Sequence, residues 1–111
     1  MPSQLTTEFW VSALIRRASV GGATAVVARK GDPTAGAVLV KLYDHITRTA
    51  RLYAEALGGA EGERRWMQPH PDAPESDLDA YAERQIRYDP DLWVVEIEDR
   101  EGRHFLTEPV E

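Results

Sequence analysis

The sequence contains no cysteine and only three histidines. Disulfides and thiolate metal sites are therefore excluded, which suits a reducing compartment. No apolar run approaches the roughly 20 residues that a membrane helix needs. The start of the chain also lacks the basic segment followed by a long apolar segment that marks a secretory signal. We therefore expect a soluble, cytoplasmic protein that does not act at a membrane.

The composition is that of an ordinary globular protein, with 42% hydrophobic and 29% charged residues in a chain of 111. A chain of this length can bury a core of its own without covalent links. The sequence predicts a single domain over residues 1–111, with a frayed start at residues 1–6. Exposed loops are expected at residues 58–63 and at residues 69–75, where closely spaced prolines disfavour regular structure.

Charge is distributed unevenly along the chain. Residues 1–56 carry seven lysines and arginines against four acids, a net charge of +3. Residues 57–111 carry six arginines against fifteen acids, a net charge of −9. This split predicts that opposite charges meet within one molecule or between molecules. The simpler alternative is that the acidic segments are solvated and the arginines lie scattered.

Helix signals occur twice in the sequence. Thr6 or Thr7 can cap a first helix, which would end at the glycine pair Gly21-Gly22. Ser76 can cap a second helix, and Pro90 would stop it.

The remaining β-branched runs predict strands. Residues 23–30 and 37–43 flank a turn cluster and are expected to pair as an antiparallel hairpin. Residues 50–56 fit a third strand, although a short capped helix fits them equally well, and a short strand is expected at residues 65–67. Residues 92–99 alternate in polarity and are expected to pair back with residues 103–107.

Together these elements predict an α+β fold. An N-terminal helix and one later helix would pack on a mainly antiparallel sheet of four to six strands that ends in a C-terminal hairpin. The expected core consists of apolar residues on the inward faces of these elements: Trp10, Leu14, Val27, Val38, Val40, Leu52, Leu78, Ile86, Trp93, Val95 and Ile97.

Two blocks of sequence carry a family resemblance. The first consists of Phe9-Trp10-Val11, Arg16-Arg17, Arg29-Lys30-Gly31-Asp32 and Ala35-Gly36-Ala37-Val38. The second consists of Asp89-Pro90-Asp91-Leu92-Trp93-Val94-Val95-Glu96-Ile97-Glu98-Asp99 and Gly102-Arg103-His104-Phe105-Leu106. In this order the blocks resemble the bacterial domain-of-unknown-function family 1491 over nearly the whole chain. The resemblance implies a single-domain protein and leaves its function open, because the family has no assigned activity, cofactor or catalytic residues.

Six cations are the candidate binding residues: Arg16, Arg17, Arg29, Lys30, Arg51 and Arg65. Arginine can bind a phosphate or carboxylate group through its planar fork. Arg17 falls within the apolar arc of the first helix, where it can cover apolar surface, stack on Trp10 or pair with an acid such as Asp99. Nucleic acid is not the expected partner, because the net charge is −6 and no nucleic-acid motif is recognisable.

No residue is assigned as catalytic, and no metal ion or cofactor is expected. His45, His70 and His104 are not spaced as a known set of metal ligands. No nucleophile elbow or glycine-rich phosphate loop is present. A small enzyme remains possible in one form. It would have a carboxylate–histidine site that uses Glu96 with His104, or Asp44 with His45.

The sequence therefore favours a non-catalytic protein-binding or regulatory module that contacts another protein or a second copy of itself. Nucleic-acid or phospholigand binding through an arginine-rich N-terminal face is the alternative, and a small carboxylate–histidine enzyme is the second alternative.

Overall fold

The structure, a computed structural model, describes residues 6–55 and 64–111. The predicted loop at residues 58–63 and all of the predicted frayed start except Thr6 lie outside these ranges. The regular elements, in chain order, are α1 (Thr7–Val20), β1 (Thr24–Arg29), β2 (Val38–Asp44), β3 (Thr49–Glu55), β4 (Trp66–Met67), β5 (Ala73–Pro74), α2 (Glu75–Tyr88) and β6 (Trp93–Glu98).

Both predicted helices are present. The side chain of Thr6 caps α1 by accepting a hydrogen bond from the amide of Phe9, and Gly21 ends the helix. The α2 helix begins one residue before the predicted cap Ser76, because Pro74 takes the cap position without a side-chain hydrogen bond. Neither α1 nor α2, each of 14 residues, is long and apolar enough to cross a membrane.

The strands form one mixed sheet in the order β1-β6-β2-β3-β4, with β5 also paired to β3. Every pair is antiparallel except the parallel pair β2–β6. The predicted α+β class and mainly antiparallel sheet are therefore confirmed. Residues 49–55 form a strand rather than a helix, because both edges of β3 are paired and Leu52 is fully buried. Within the predicted loop at residues 69–75, Ala73 is buried in β5.

Both predicted hairpins are wrong. The strands β1 and β2 do not pair, because β6 lies between them and pairs with each. The loop that joins β1 to β2 is held on the start of β6, where the amide of Asp32 donates to the carbonyl of Asp91 (3.0 Å) and the Trp93 indole donates to the carbonyl of Asp32 (2.7 Å). A Cβ on Gly31 would collide with the same Asp91 carbonyl, so this close approach requires glycine.

The C-terminal hairpin fails for a related reason. Both edges of β6 are already occupied, so residues 103–107 find no free edge there and do not form a strand. Instead, Phe105 and Leu106 pack against the cluster that contains Trp10.

Apolar side chains form one core on each face of the sheet. On one face, α1 places Trp10 and Leu14 against Val40 and Ile97. On the other face, α2 places Leu78 against a second cluster that includes Leu52. Of the predicted core residues, Val27 is instead exposed, Ile86 is only partly buried, and the remaining nine are buried.

Candidate functional site

The first two candidate binding residues lie in the last turns of α1. Arg16 is exposed. Arg17 donates from Nε (3.2 Å) and Nη2 (3.0 Å) to the carbonyl oxygen of Phe105, so it anchors the C-terminal segment. The two other contacts that the sequence suggested for Arg17 do not form: Arg64 lies over the Trp10 ring, and Asp99 is bound by Arg103.

The next two candidate binding residues lie at the end of β1. Arg29 donates from Nη1 to the carbonyl oxygens of Pro90 (3.0 Å) and Leu92 (2.8 Å). Lys30 lies 3.1 Å from a carboxylate oxygen of Glu8. Both cations therefore connect β1 to neighbouring parts of the chain.

The last two candidates form ion pairs. Arg51 binds Asp72 through Nε (3.1 Å) and Nη2 (2.8 Å), and these hydrogen bonds lower the pKa of the Asp72 carboxyl. Arg65 donates from Nη1 to Glu111 (3.1 Å). Five of the six candidates thus contact acceptors within the chain, and a ligand-binding role for any of them stays a prediction.

The carboxylates and histidines proposed for an enzyme lie in separate contacts. His45 lies 3.9 Å from Glu98, whereas Glu96 is bound by Lys41. The Nδ1 atom of His104 accepts a hydrogen bond from the amide of Leu106 (2.9 Å), and burial is the main cause that lowers the pKa of this imidazole. Across residues 6–55 and 64–111, no group of three histidine, aspartate or glutamate side chains is placed to hold a metal ion.

A buried lysine is the first feature that sequence reasoning missed. The Nζ atom of Lys41 lies 2.7 Å from Glu75, 2.8 Å from Asp79 and 3.0 Å from Glu96, and only 5% of its side chain is exposed. Burial acts to lower the pKa of Lys41, but the hydrogen bonds to these carboxylates outweigh it and raise the pKa. The available signal was a lone lysine within the apolar strand β2.

A carboxylate bound by two tryptophans is the second missed feature. Trp10 and Trp66 stack with their ring centroids 5.3 Å apart. Their indole nitrogens donate to the two oxygens of Glu108, at 2.8 and 3.2 Å. Burial acts to raise the pKa of Glu108, but these hydrogen bonds hold it below its usual value. This contact fixes the C-terminal segment to the core.

The most exposed strand of the sheet is β1, in which four of the six residues are exposed. Within the part of the chain that the structure describes, β1 pairs only with β6, so its outer edge has no strand beside it. Val26 is 49% exposed and Val27 is 41% exposed. The register shifts between Val27 and Arg29, which leaves residues 24–27 as the regular part of the edge.

The two faces beside β1 differ in character. Thr24 and Val26 lie opposite Glu98 and Glu96 of β6, on the face that carries Lys41 and α2. A shallow cleft of about 50 Å³ lies on this face. Because side chains alternate along a strand, Ala25 and Val27 lie on the face that carries α1. There they stand opposite the apolar residues Ile97 and Val95.

Comparisons with known proteins agree with this fold. The profile of the family described as "Protein of unknown function (DUF1491)" matches residues 5–107. No curated protein matches the chain. A crystal structure and an NMR structure of a DUF1491 family protein from Caulobacter crescentus CB15 are each 65% identical in sequence, with a TM-score of 0.88.

These two structures are matched over 98% and 99% of this chain, respectively, and over 99% of their own chains. The solution structure of protein Atu0922 from A. tumefaciens is 36% identical, with a TM-score of 0.82, over 96% of this chain and 95% of that one. The fold, the profile match and these identities lead to one conclusion: the chain belongs to the DUF1491 family of proteins of unknown function.

Proposed function

We propose that this chain is a protein-binding module that takes an extended segment of a partner protein as an additional strand along β1. The observation that carries the proposal is the outer edge of β1, which pairs with no other strand among the described residues. An unpaired edge presents a row of amide and carbonyl groups that can hydrogen-bond to another chain.

A comparison of the two edges of the sheet supports β1 as the strand that binds the partner. At the opposite edge, β4 is covered by the C-terminal segment: the amide of Trp66 donates to the carbonyl of Pro109 (2.9 Å), and the amide of Glu111 donates to the carbonyl of Trp66 (2.7 Å). Proteins commonly protect an edge with proline, a charged side chain or such a covering segment. Residues 24–27 of β1 carry no proline and no charge, and a covering segment is absent among the described residues.

Peptide binding tests this function. A peptide of about six residues that alternates valine and threonine has the length and pattern of a neutral strand. We expect it to bind saturably in calorimetry. A matched peptide with N-methylated alternate amides should bind far more weakly, because it cannot donate the hydrogen bonds of a strand pair.

Variants of the protein locate the binding site. About half of Val26 is exposed in the free protein. Covering this exposed part with a partner strand would contribute roughly 1 kcal/mol to the binding free energy. We therefore expect Val26→Lys to weaken the valine–threonine peptide about fivefold. Ile46→Lys is the matched control, because Ile46 is exposed in the β2–β3 turn and should leave the affinity unchanged. Equal affinities of the two variants for the peptide, or failure of the wild-type protein to bind any strand-forming peptide, would contradict the proposal.

The cytoplasm is the location that we propose for this interaction, in keeping with the cysteine-free sequence. Fractionation of cells that express the tagged chain tests it, and recovery in the membrane or secreted fraction would contradict it.

A further inference from the structure

We infer that the strand accepted by β1 comes from a different protein and alternates basic with apolar side chains, the basic ones lying on the α2 side of the sheet. This inference rests on the proposed function and specifies the chemistry of the partner. It follows from the charges and the exposed surface that flank residues 24–27.

The α2 side of this edge carries an excess of negative charge. Among the described residues, four carboxylates, those of Glu75, Asp79, Glu96 and Glu98, lie on this side together with the ammonium of Lys41. Each of the four side chains is between 40% and 56% exposed, so water or a partner can reach it. Lys41 uses its ammonium on three of them, and among the described residues Glu98 has only the ion pair with His45, at 3.9 Å.

The register places two of these carboxylates next to the edge. Glu98 lies directly opposite Thr24, and Glu96 lies directly opposite Val26. A strand added outside β1 would lie two interstrand spacings from β6, about 10 Å away. The side chains of Thr24 and Val26 are short, so a lysine or arginine of the added strand can extend over them towards the carboxylates.

The α1 side of the edge has the opposite character. Ala25 and Val27 stand opposite Ile97 and Val95, and both carboxylates of β6 point to the other face. Since Val27 is exposed there, apolar side chains of an added strand would gain contact with it. Successive side chains of a strand point to opposite faces of the sheet. A strand that matches both sides of this edge therefore alternates basic with apolar side chains.

A second copy of the chain fits this surface less well than a different protein. The β1 strand of a second copy offers threonine, alanine and valine at residues 24–28, and its one cation, Arg29, already donates to the carbonyls of Pro90 and Leu92. It would also bring a second pair of carboxylates, Glu96 and Glu98, towards the first. The complementary partner is therefore basic where β1 of this chain is neutral.

A set of peptides of about six residues tests the pattern. One peptide alternates valine with lysine, the second alternates valine with threonine, and the third alternates valine with glutamate. A fourth contains the same valines and lysines in two separate blocks. At low salt we expect the alternating lysine peptide to bind at least about fivefold more tightly than the threonine peptide. We expect the glutamate peptide and the block peptide to bind more weakly than the alternating lysine peptide.

Variants that neutralise one carboxylate test whether the preference for the lysine peptide arises at the edge of β1. Glu98→Gln should weaken the alternating lysine peptide about threefold and leave the threonine peptide unchanged. Glu83→Gln is the matched control, because Glu83 is an exposed carboxylate on α2 that does not line the cleft beside Thr24 and Val26, and it should change neither affinity. Because Glu98 is exposed and lies at the end of β6, its neutralisation should leave the fold intact, which a urea unfolding curve checks.

The outcomes distinguish the basic–apolar pattern of the partner from strand addition itself. Equal binding of the lysine and glutamate peptides, or equal effects of the two glutamine variants, would overturn the basic pattern and leave strand addition standing. Failure of every peptide to bind would overturn strand addition itself. Concentration-dependent dimerisation that Val26→Lys abolishes would overturn the assignment to a different protein.

Discussion

Replacement of Lys41 by methionine is the perturbation that most sharply tests the structural account. The ammonium lies within 3.0 Å of Glu75, Asp79 and Glu96, under the first turns of α2. Methionine has a similar length and fills the same space, so the change removes charge with little loss of packing. The three carboxylates would then face one another without a counter-charge.

The structure sets the size of the expected effect. Removal of one partner from a fully buried ion pair costs about 3–5 kcal/mol, and an exposed pair contributes at most about 1 kcal/mol. Here the lysine is buried, but each carboxylate is roughly half exposed and can be rehydrated. We therefore expect Lys41→Met to lower the free energy of unfolding by about 2 kcal/mol near neutral pH.

The pH dependence separates charge from packing. The pKa of Lys41 is raised in the folded protein, so its contribution is fully present below the unfolded value of 10.5 and is lost only above it. The variant lacks this group, so the cost of the substitution should stay constant from neutral pH up to the unfolded value of 10.5 and shrink above it.

Urea unfolding followed by tryptophan fluorescence measures these free energies. Lys30→Met is the matched control, because Lys30 forms an exposed pair with Glu8, and its loss should change stability by less than about 0.5 kcal/mol. A cost for Lys41→Met that equals the control, or one that does not shrink above pH 10.5, would refute the reasoning.

Three further predictions concern stability. Glu108→Gln should lower the free energy of unfolding in urea by about 1 kcal/mol, because an amide accepts from only one of the two indoles. Hydrogen bonds from Arg103 lower the pKa of Asp99 to about 2. The stabilisation by Asp99 is therefore lost as the pH falls from about 4 towards 2, and urea curves of Asp99→Asn should lack this loss. Gly31→Ala should cost more than about 2 kcal/mol in thermal unfolding, because its Cβ meets the Asp91 carbonyl.

The helices could be predicted from sequence because their signals are local. The Thr6 cap, the Gly21 end and the stop before Pro90 each depend on neighbouring residues, and the structure has all three. Strand pairing is not local. The sequence predicts two hairpins between neighbouring segments, but β6 pairs with both β1 and β2 and excludes both hairpins.

Contacts between the two halves of the chain explain part of the charge split. Lys41 from the basic half meets Glu75, Asp79 and Glu96 from the acidic half, and Arg51 meets Asp72. A charge count along the sequence shows the imbalance but not which strand faces which helix. From the sequence, pairing within one molecule, pairing between molecules and separate solvation of the charges are all open.

The candidate binding edge was hidden from sequence reasoning for the same reason. The sequence predicts a hairpin of β1 with β2 and a place for Val27 in the core. Only the insertion of β6 moves β1 to the end of the sheet and leaves Val27 exposed. The register with Val26 and Thr24 is needed to place Glu96 and Glu98 beside this edge.

Amide hydrogen exchange of β1 tests the central claim, that a partner strand adds to this edge, most directly. Within residues 24–29, alternate amides point away from β6 and lack a strand partner among the described residues. On addition of the alternating valine–lysine peptide, we predict that these outward amides become protected, while amides of the covered strand β4 keep their rates. Unchanged exchange along β1 at saturating peptide, or protection at β4 alone, would contradict the account.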